Sequence, residues 1–316
     1  MKQRLWLIVR VVGTLGALAW IVSRVDFAAA GAAVGRISPL VFVAAVALVA
    51  GNVGLSAVRW RAVLRAYGAT RIPGLAALVR LYFVAFFYNN YLPGAVAGDV
   101  ARGVVTRDAF ADEGATGALA VVLVERALGL FSLFALLAIG LVTTPGALDR
   151  RALWWWTVLG SAGSLALVTA IPLARTLGRH LPARLARIAH KLPALREPRA
   201  FLVAIALSVA SQALIATAGW LLLAQLAPIP FTGSLLVVPL AAATAFLPIT
   251  VGGAGAREAV YVQLCGSLFA MPEASALAAS LGLWLAHLVC GAFGGVAQLA
   301  QRKPRRLDAA DASRQD

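Results

Sequence analysis

Charge is what this sequence most lacks. Only 13% of its 316 residues are Asp, Glu, Lys or Arg, 61% are hydrophobic, and the mean hydropathy is +0.86. A soluble domain carries about 25% charged and about 45–50% apolar residues, so a soluble globular protein is excluded. Acids are scarcer than bases, 13 against 28, and lysine is almost missing: Lys2, Lys191 and Lys303 are the three. Arginine is the better bidentate ligand for phosphate, but so uniform a bias reads as genome composition. Two cysteines, Cys265 and Cys290, both in apolar stretches, are too few for a disulfide or metal framework and read as small buried hydrophobes. Of the three histidines, His180 and His190 fall in a basic loop and read as solvated. His287, in the last apolar stretch, reads as a packing or hydrogen-bonding residue. No Ser-His-Asp set, zinc spacing or Walker loop occurs. No cofactor, metal ligand or catalytic residue is therefore assigned.

What the sequence has is long stretches free of charge. Residues 37–58, 127–148, 152–174, 200–256 and 274–301 contain no Asp, Glu, Lys or Arg. About 20 apolar residues at 1.5 Å per residue cross a hydrocarbon core of about 30 Å. Inside lipid, each backbone polar group needs a partner within the protein, which leaves helices or a closed barrel. The runs are continuous rather than alternating, which selects helices. The expected fold is all-α: a polytopic membrane bundle with six full spans, at about 5–23, 37–58, 114–142, 152–174, 200–226 and 276–300. Two further apolar segments, about 74–98 and 234–270, are broken by Pro and Gly. Residues 1–301 form one transmembrane domain, and 302–316 a disordered cytoplasmic tail. The N-terminus has Lys2, Arg4 and Arg10 before an apolar stretch but no small-residue cleavage site near Val25, and reads as a retained span rather than a signal peptide.

The net charge of +15 does not point to nucleic acid, because the bases lie in short loops between spans. They cluster at the N-terminus, at Arg59, Arg61, Arg65 and Arg71, at seven positions between Arg175 and Arg199, and at Arg302, Lys303, Arg305 and Arg306. The positive-inside bias makes all four clusters cytoplasmic. Residues 59–68 and much of 175–195 read as basic amphipathic helices on the membrane surface. Trp154, Trp155 and Trp156 beside Arg150 and Arg151 fit an interfacial aromatic belt. If 74–98 crossed fully, the central basic loop would land outside. Pro93 and Gly94, flanked by Asn89, Asn90 and Asp99, make this the segment that does not cross, and it is read as re-entrant from the cytoplasm. Each half, about 1–148 and 149–301, then has three spans and one broken segment. Three is odd, so the halves have opposite orientation.

A short motif agrees with that count. Leu92-Pro93-x4-Gly98-x2-Ala101-Arg102 recurs 155 residues later as Leu247-Pro248-x4-Gly253-x2-Ala256-Arg257. Broken segments in matching positions of two halves, facing a site near the midplane, are the mark of inverted-repeat transporters.

Ionisable groups within a bilayer are costly, about 2.5–3.5 kcal/mol each on insertion scales, and are functional candidates by default. Asp99 and Arg102, three apart, can pair on one helical face, with Asn89 and Asn90 before them and Pro93, Gly94 and Gly98 freeing the backbone. The alternative is an ordinary turn with a surface ion pair. Glu125-Arg126 sits mid-span, between uncharged residues 114–124 and 127–148. Adjacent residues do not face each other on a helix, so each needs another partner: Asp99 or a lipid phosphate for Arg126, Arg102 or Arg257 for Glu125. A structural interhelical pair is the alternative. Pro248, Gly252, Gly253 and Gly255 open the backbone before Arg257 and Glu258, and exposed N–H groups there favour anions. The alternative is close helix packing by small residues.

At these positions the chain resembles the transmembrane region of lysylphosphatidylglycerol synthetases. The resemblance is carried by Asn89-x2-Leu92-Pro93-Gly94-x3-Gly98-Asp99-x2-Arg102, Glu125-Arg126-x2-Gly129-Leu130 and Pro248-x3-Gly252-Gly253-x-Gly255-x2-Glu258. It implies a lipid flippase, the membrane half of two-domain enzymes whose separate soluble domain makes the aminoacyl lipid. This chain has no room for that domain, so synthesis is not implied. Glu125 stands where the family more often has Asp, and Ala97 where it commonly has Gly. The expected function is movement of a phospholipid or lipid-linked substrate across the inner membrane, with both termini cytoplasmic. Arg102, Arg126 and Arg257 would receive a phosphate headgroup; Asp99, Glu125 and Glu258 would balance them. The expected partners are anionic or aminoacylated phospholipids or isoprenoid-linked lipids. Two other readings stand: a membrane enzyme or accessory subunit acting on a lipid-linked substrate, with Asp99 or Glu125 as base, and a proton-coupled solute carrier using Glu125.

Overall fold

The computed structural model describes residues 2–91, 97–110, 114–147, 149–176, 178, 182, 186, 189, 192–246, 250 and 253–299. Among them there is no strand. The helices are α1 (Lys2–Arg24), α2 (Phe27–Gly35), α3 (Pro39–Ala66), α4 (Leu75–Tyr91), α5 (Ala97–Val105), α6 (Gly114–Thr143), α7 (Arg151–Thr176), α8 (Pro198–Ala224), α9 (Phe231–Ala243), α10 (Ala256–Phe269) and α11 (Glu273–Leu299). Short 3₁₀ turns occupy Arg107–Ala109 and Thr244–Phe246. The chain is an all-α polytopic membrane bundle, as its charge-free runs require.

Helices α3, α6, α7, α8 and α11 are long and apolar enough to cross a bilayer, and α1 with α2 adds a sixth span if the bent pair counts as one. The bend is 84°. Asp26 makes it by capping α2, accepting from the Ala28 and Ala29 N–H groups at 2.8 and 3.1 Å. Pro39 and Pro198 open α3 and α8, where a missing N–H costs nothing.

Both Pro/Gly-broken segments are helix pairs. In the first, α4 and α5 pack against each other, and Gly98 lies so close to the Ala85 carbonyl that a Cβ would collide with it. In the second, α9 packs on α10. The same four-helix order recurs. Helices α3 to α6 begin at Pro39, Leu75, Ala97 and Gly114, and α8 to α11 at Pro198, Phe231, Ala256 and Glu273. Packing follows the same exchange: α3 lies along α8, α4 along α11, and α6 along α9. A glycine makes each of the last two approaches tight, Gly294 against the Phe83–Val84 backbone and Gly140 against the Leu235–Leu236 backbone. Small residues bring backbones together where lipid supplies no hydrophobic drive between helices.

One expected surface element is absent. Residues 59–66 continue α3 instead of lying on the membrane, and Trp60, Val63, Leu64 and Tyr67 are buried. The apolar period of Val49, Val53 and Ser56 runs on through Trp60 and Leu64, so the basic residues ride on a buried helix and Arg59 is drawn inward with it. The tryptophans Trp154, Trp155 and Trp156 are exposed on α7, as an aromatic belt needs. Most of 175–195 and the 302–316 tail lie outside the described residues.

Candidate functional site

Five charged side chains from three helices, joined by a tyrosine from a fourth, meet inside the bundle. Helix α5 presents Asp99 in its first turn and Arg102 one turn later. An acid at a helix N-terminus and a base nearer its C-terminus both suit the macrodipole. Their carboxylate and guanidinium pair directly. Helix α6 supplies Glu125 and Arg126, and as adjacent residues they point to different partners. Glu125 accepts from Arg102 Nη1 at 2.9 Å and from Arg59 Nη2 and Nε at 2.8 and 3.2 Å. Arg126 reaches back to Asp99, its Nε donating to Oδ2 at 2.6 Å. Arg59 comes from α3, and α4 adds Tyr82, whose hydroxyl donates to Glu125 Oε1.

Burial is graded across this network. Asp99, Arg102 and Glu125 are all buried, whereas the Arg126 side chain is 29% exposed. A buried charge holds its place only when paired and hydrogen-bonded. Each carboxylate here serves two arginines, Asp99 taking Arg102 and Arg126, Glu125 taking Arg59 and Arg102. Among the described residues of the cluster, three guanidinium groups face two carboxylates, which leaves one positive charge in surplus. The Arg102 guanidinium is further held between aromatic rings, 4.1 Å from the Tyr82 centroid and 4.9 Å from that of Trp60, a favourable cation–π arrangement. Arg102 is thereby held by both carboxylates and two rings, with its buried Nε left without a hydrogen-bond partner among the described residues, and Arg126 is the arginine of the cluster that faces outward.

The two asparagines serve the backbone. Asn89 Oδ1 accepts from the Gly98 N–H at 2.9 Å, capping the start of α5 across the hairpin, and Asn90 Nδ2 donates to the Phe86 carbonyl at 2.8 Å. Pro93, Gly94, Pro248 and Gly252 lie outside the described residues. Gly253 and Gly255 both have positive φ, 81° and 80°, a conformation that glycine takes without steric cost.

Arg257 and Glu258 form a separate pair on α10. Glu258 also accepts from the Gly255 N–H at 2.8 Å, closing the start of its helix. Arg257 is 24% exposed and lies 5.9 Å from the Trp284 ring centroid. The described partner of Glu125 is thus Arg102 and not Arg257. The two motif copies also sit one helical turn out of step. Arg102 is the sixth residue of α5 and Arg257 the second of α10, while Asp99 and Glu258 are each the third.

Arg59 and Tyr82 were not candidates by sequence. Arg59 looked like the first base after a span; the unbroken apolar period through Leu64 was the signal that it lay on the same helix. Nothing in the sequence distinguishes Tyr82. His287 is satisfied, its Nδ1 at 2.8 Å from the Leu283 carbonyl, and Cys265 and Cys290 are free and buried. Among the described residues, no three His, Cys, Asp or Glu side chains gather as a metal site.

Compared with known families, residues 7–294 match the one described as the lysylphosphatidylglycerol synthase TM region. No curated protein matches the chain.

Proposed function

We propose, because the chain belongs to the lysylphosphatidylglycerol synthase TM-region family, that it carries a phospholipid or lipid-linked substrate between the leaflets of the cell (inner) membrane. The protein is a multi-pass membrane protein of a lipid-related family. In this reading it performs no chemistry on the lipid. It holds the phosphate of the headgroup at Arg126 while the tails stay in an apolar medium. Both termini face the cytoplasm, on the side of the basic loops.

The observation that carries the reading is the charged cluster itself. Three arginines and two acids are assembled inside an apolar bundle, with the surplus charge positive and Arg126 at the exposed edge. A purely structural ion pair needs no third arginine. An anion arriving at Arg126 neutralises the surplus and competes with Asp99 for the same guanidinium. Asp99, in turn, can attract a cationic portion of the headgroup, as in an aminoacylated phospholipid. Arg257, half a chain away in sequence and also partly exposed, is the candidate second contact.

The test is headgroup accessibility in proteoliposomes carrying fluorescent anionic, aminoacylated or isoprenoid-linked lipids, comparing wild type with Arg126→Ala. Movement that falls at least tenfold in the variant is expected. No movement of any of these lipids by folded wild-type protein would overturn the proposal.

A further inference from the structure

One face of α6 leads from the charged cluster into a large apolar cavity. Arg126, Leu130 and Phe134 are spaced four residues apart, so they line up on one side of the helix. At 1.5 Å per residue they cover about 12 Å along its axis. Leu130 and Phe134 both line a cavity of about 710 Å³ between α1, α6, α7, α9 and α10. Phe246 lines it too, and its ring centroid lies 6.0 Å from the Arg126 guanidinium carbon. The cavity therefore begins where the exposed arginine of the cluster ends.

Its walls say what it takes. They are almost wholly aliphatic and aromatic; the two hydroxyls among the lining residues, of Ser164 and Thr244, donate to the carbonyls of Ser161 and Ala241, and Gln263 adds one amide. Close-packed interiors leave few voids larger than a water molecule, and apolar cavities stay dry. A space of this size falls in the range of ligand pockets, about 300–1,000 Å³. It also reaches the lipid-facing surface: Trp156 and Leu159 of α7 line it and are exposed. Trp20 of α1 lines it from another side.

We infer that this cavity holds one hydrocarbon chain of the lipid whose phosphate sits at Arg126, entering sideways from the membrane past α7. The inference rests on the proposed lipid-carrying function and adds to it where the tail goes. The driving term is contact, not the hydrophobic effect, because bilayer lipid is as apolar as the cavity. The site should therefore select chain shape rather than chain length alone. Acyl and isoprenyl chains share this chemistry.

Gly163 provides the test. It lines the cavity on its exposed rim, and a Cβ built there meets nothing within 4 Å, so a large side chain is accommodated at the cavity mouth without displacing the bundle. Photo-crosslinking would use two probes in nanodiscs: an anionic phospholipid with a diazirine on its acyl chain, and an isoprenyl phosphate with a diazirine on its chain. Wild type should be labelled within 159–167 and 240–246 by at least one probe, and labelling should fall at least tenfold in Gly163→Trp while Gly163→Ala stays near wild type. The probe that labels identifies the chain. Absence of labelling by both probes, or labelling indifferent to Gly163→Trp, would overturn the inference. The outcome is separate from transport. Labelling without lipid movement removes the proposed function and leaves the tail site. Lipid movement at wild-type rate in Gly163→Trp removes the tail site and leaves the function.

Discussion

Arg126 closes on the carboxylate of Asp99, 27 residues earlier in the chain, while its neighbour Glu125 turns away to Arg59 and Arg102. Two adjacent residues on α6 thus tie it to α5 and α3 by opposite charges. The arrangement follows from helix geometry, since side chains one position apart diverge by about 100°. It also separates two duties. Glu125 is buried and holds arginines; Arg126 is partly exposed and, among the described residues, pairs with Asp99, which Arg102 also holds.

That separation predicts a split between stability and transport at Arg126. Asp99 keeps its pair with Arg102 when Arg126 is removed, so Arg126→Ala should melt near wild type in detergent while losing at least tenfold in lipid movement. Arg126→Lys should fall between, because an ammonium cannot copy the planar guanidinium fork. A large melting loss in Arg126→Ala would make the residue structural and take it out of the lipid path.

Glu125 should behave in the opposite way. Glu125→Gln leaves Arg59 and Arg102 in the interior without their shared carboxylate, and uncompensated buried charge costs about 3–5 kcal/mol. Tyr82→Phe removes one hydrogen bond to a charged group, about 1.5–3 kcal/mol. Thermal or denaturant unfolding in detergent should therefore rank Glu125→Gln as the more damaging. Equal stability of Glu125→Gln and wild type would mean the carboxylate does not hold the cluster.

The α4–α5 hairpin rests on Gly98 and Asn89. A side chain at Gly98 meets the Ala85 backbone, which cannot move aside as a side-chain tip can. Gly98→Val should cost more than the 1–3 kcal/mol or so typical of overpacking and displace Asp99 and Arg102 with their helix. Asn89→Ala loses only a cap, about 0.5–2 kcal/mol. Folded yield in detergent and melting temperature measure both, and a well-folded Gly98→Val would contradict the close approach.

Much of this was legible in the sequence, for identifiable reasons. The charge-free runs gave the spans because backbone polar groups in lipid leave few options. The i, i+3 spacing of Asp99 and Arg102, and the rule that adjacent Glu125 and Arg126 need separate partners, led to their actual contacts. Arg59 was misplaced because a base after a long apolar run reads as the end of a span. The apolar period running on through Trp60 and Leu64 was the signal that α3 continues past it. The two motif copies differ in helical register. Arg102 and Arg257 match as letters, but Asp99 and Glu258 are the third residues of their helices. Tyr82 could not be foreseen, since a tyrosine in an apolar helix is usually packing.

The recurrence of four helices makes orientation testable. Ser211 of α8 hydrogen-bonds Asn52 of α3, 159 residues away in sequence. The starts of α3 and α8, of α5 and α10, and of α6 and α11 differ by the same interval. If a two-fold axis relates the halves, a residue that touches its own counterpart lies near it. If that axis runs in the membrane plane, equivalent loops face opposite sides. Thr70, between α3 and α4, and Gln225, between α8 and α9, are exposed positions in equivalent loops. In a background with buried Cys265 and Cys290 changed to Ala, Thr70→Cys should react with an impermeant maleimide only after the membrane is opened. Gln225→Cys should react in intact cells. Labelling of both from one side would rule out opposed halves, and with them a rocking motion in which the α4–α5 and α9–α10 pairs expose Arg126 to each leaflet in turn.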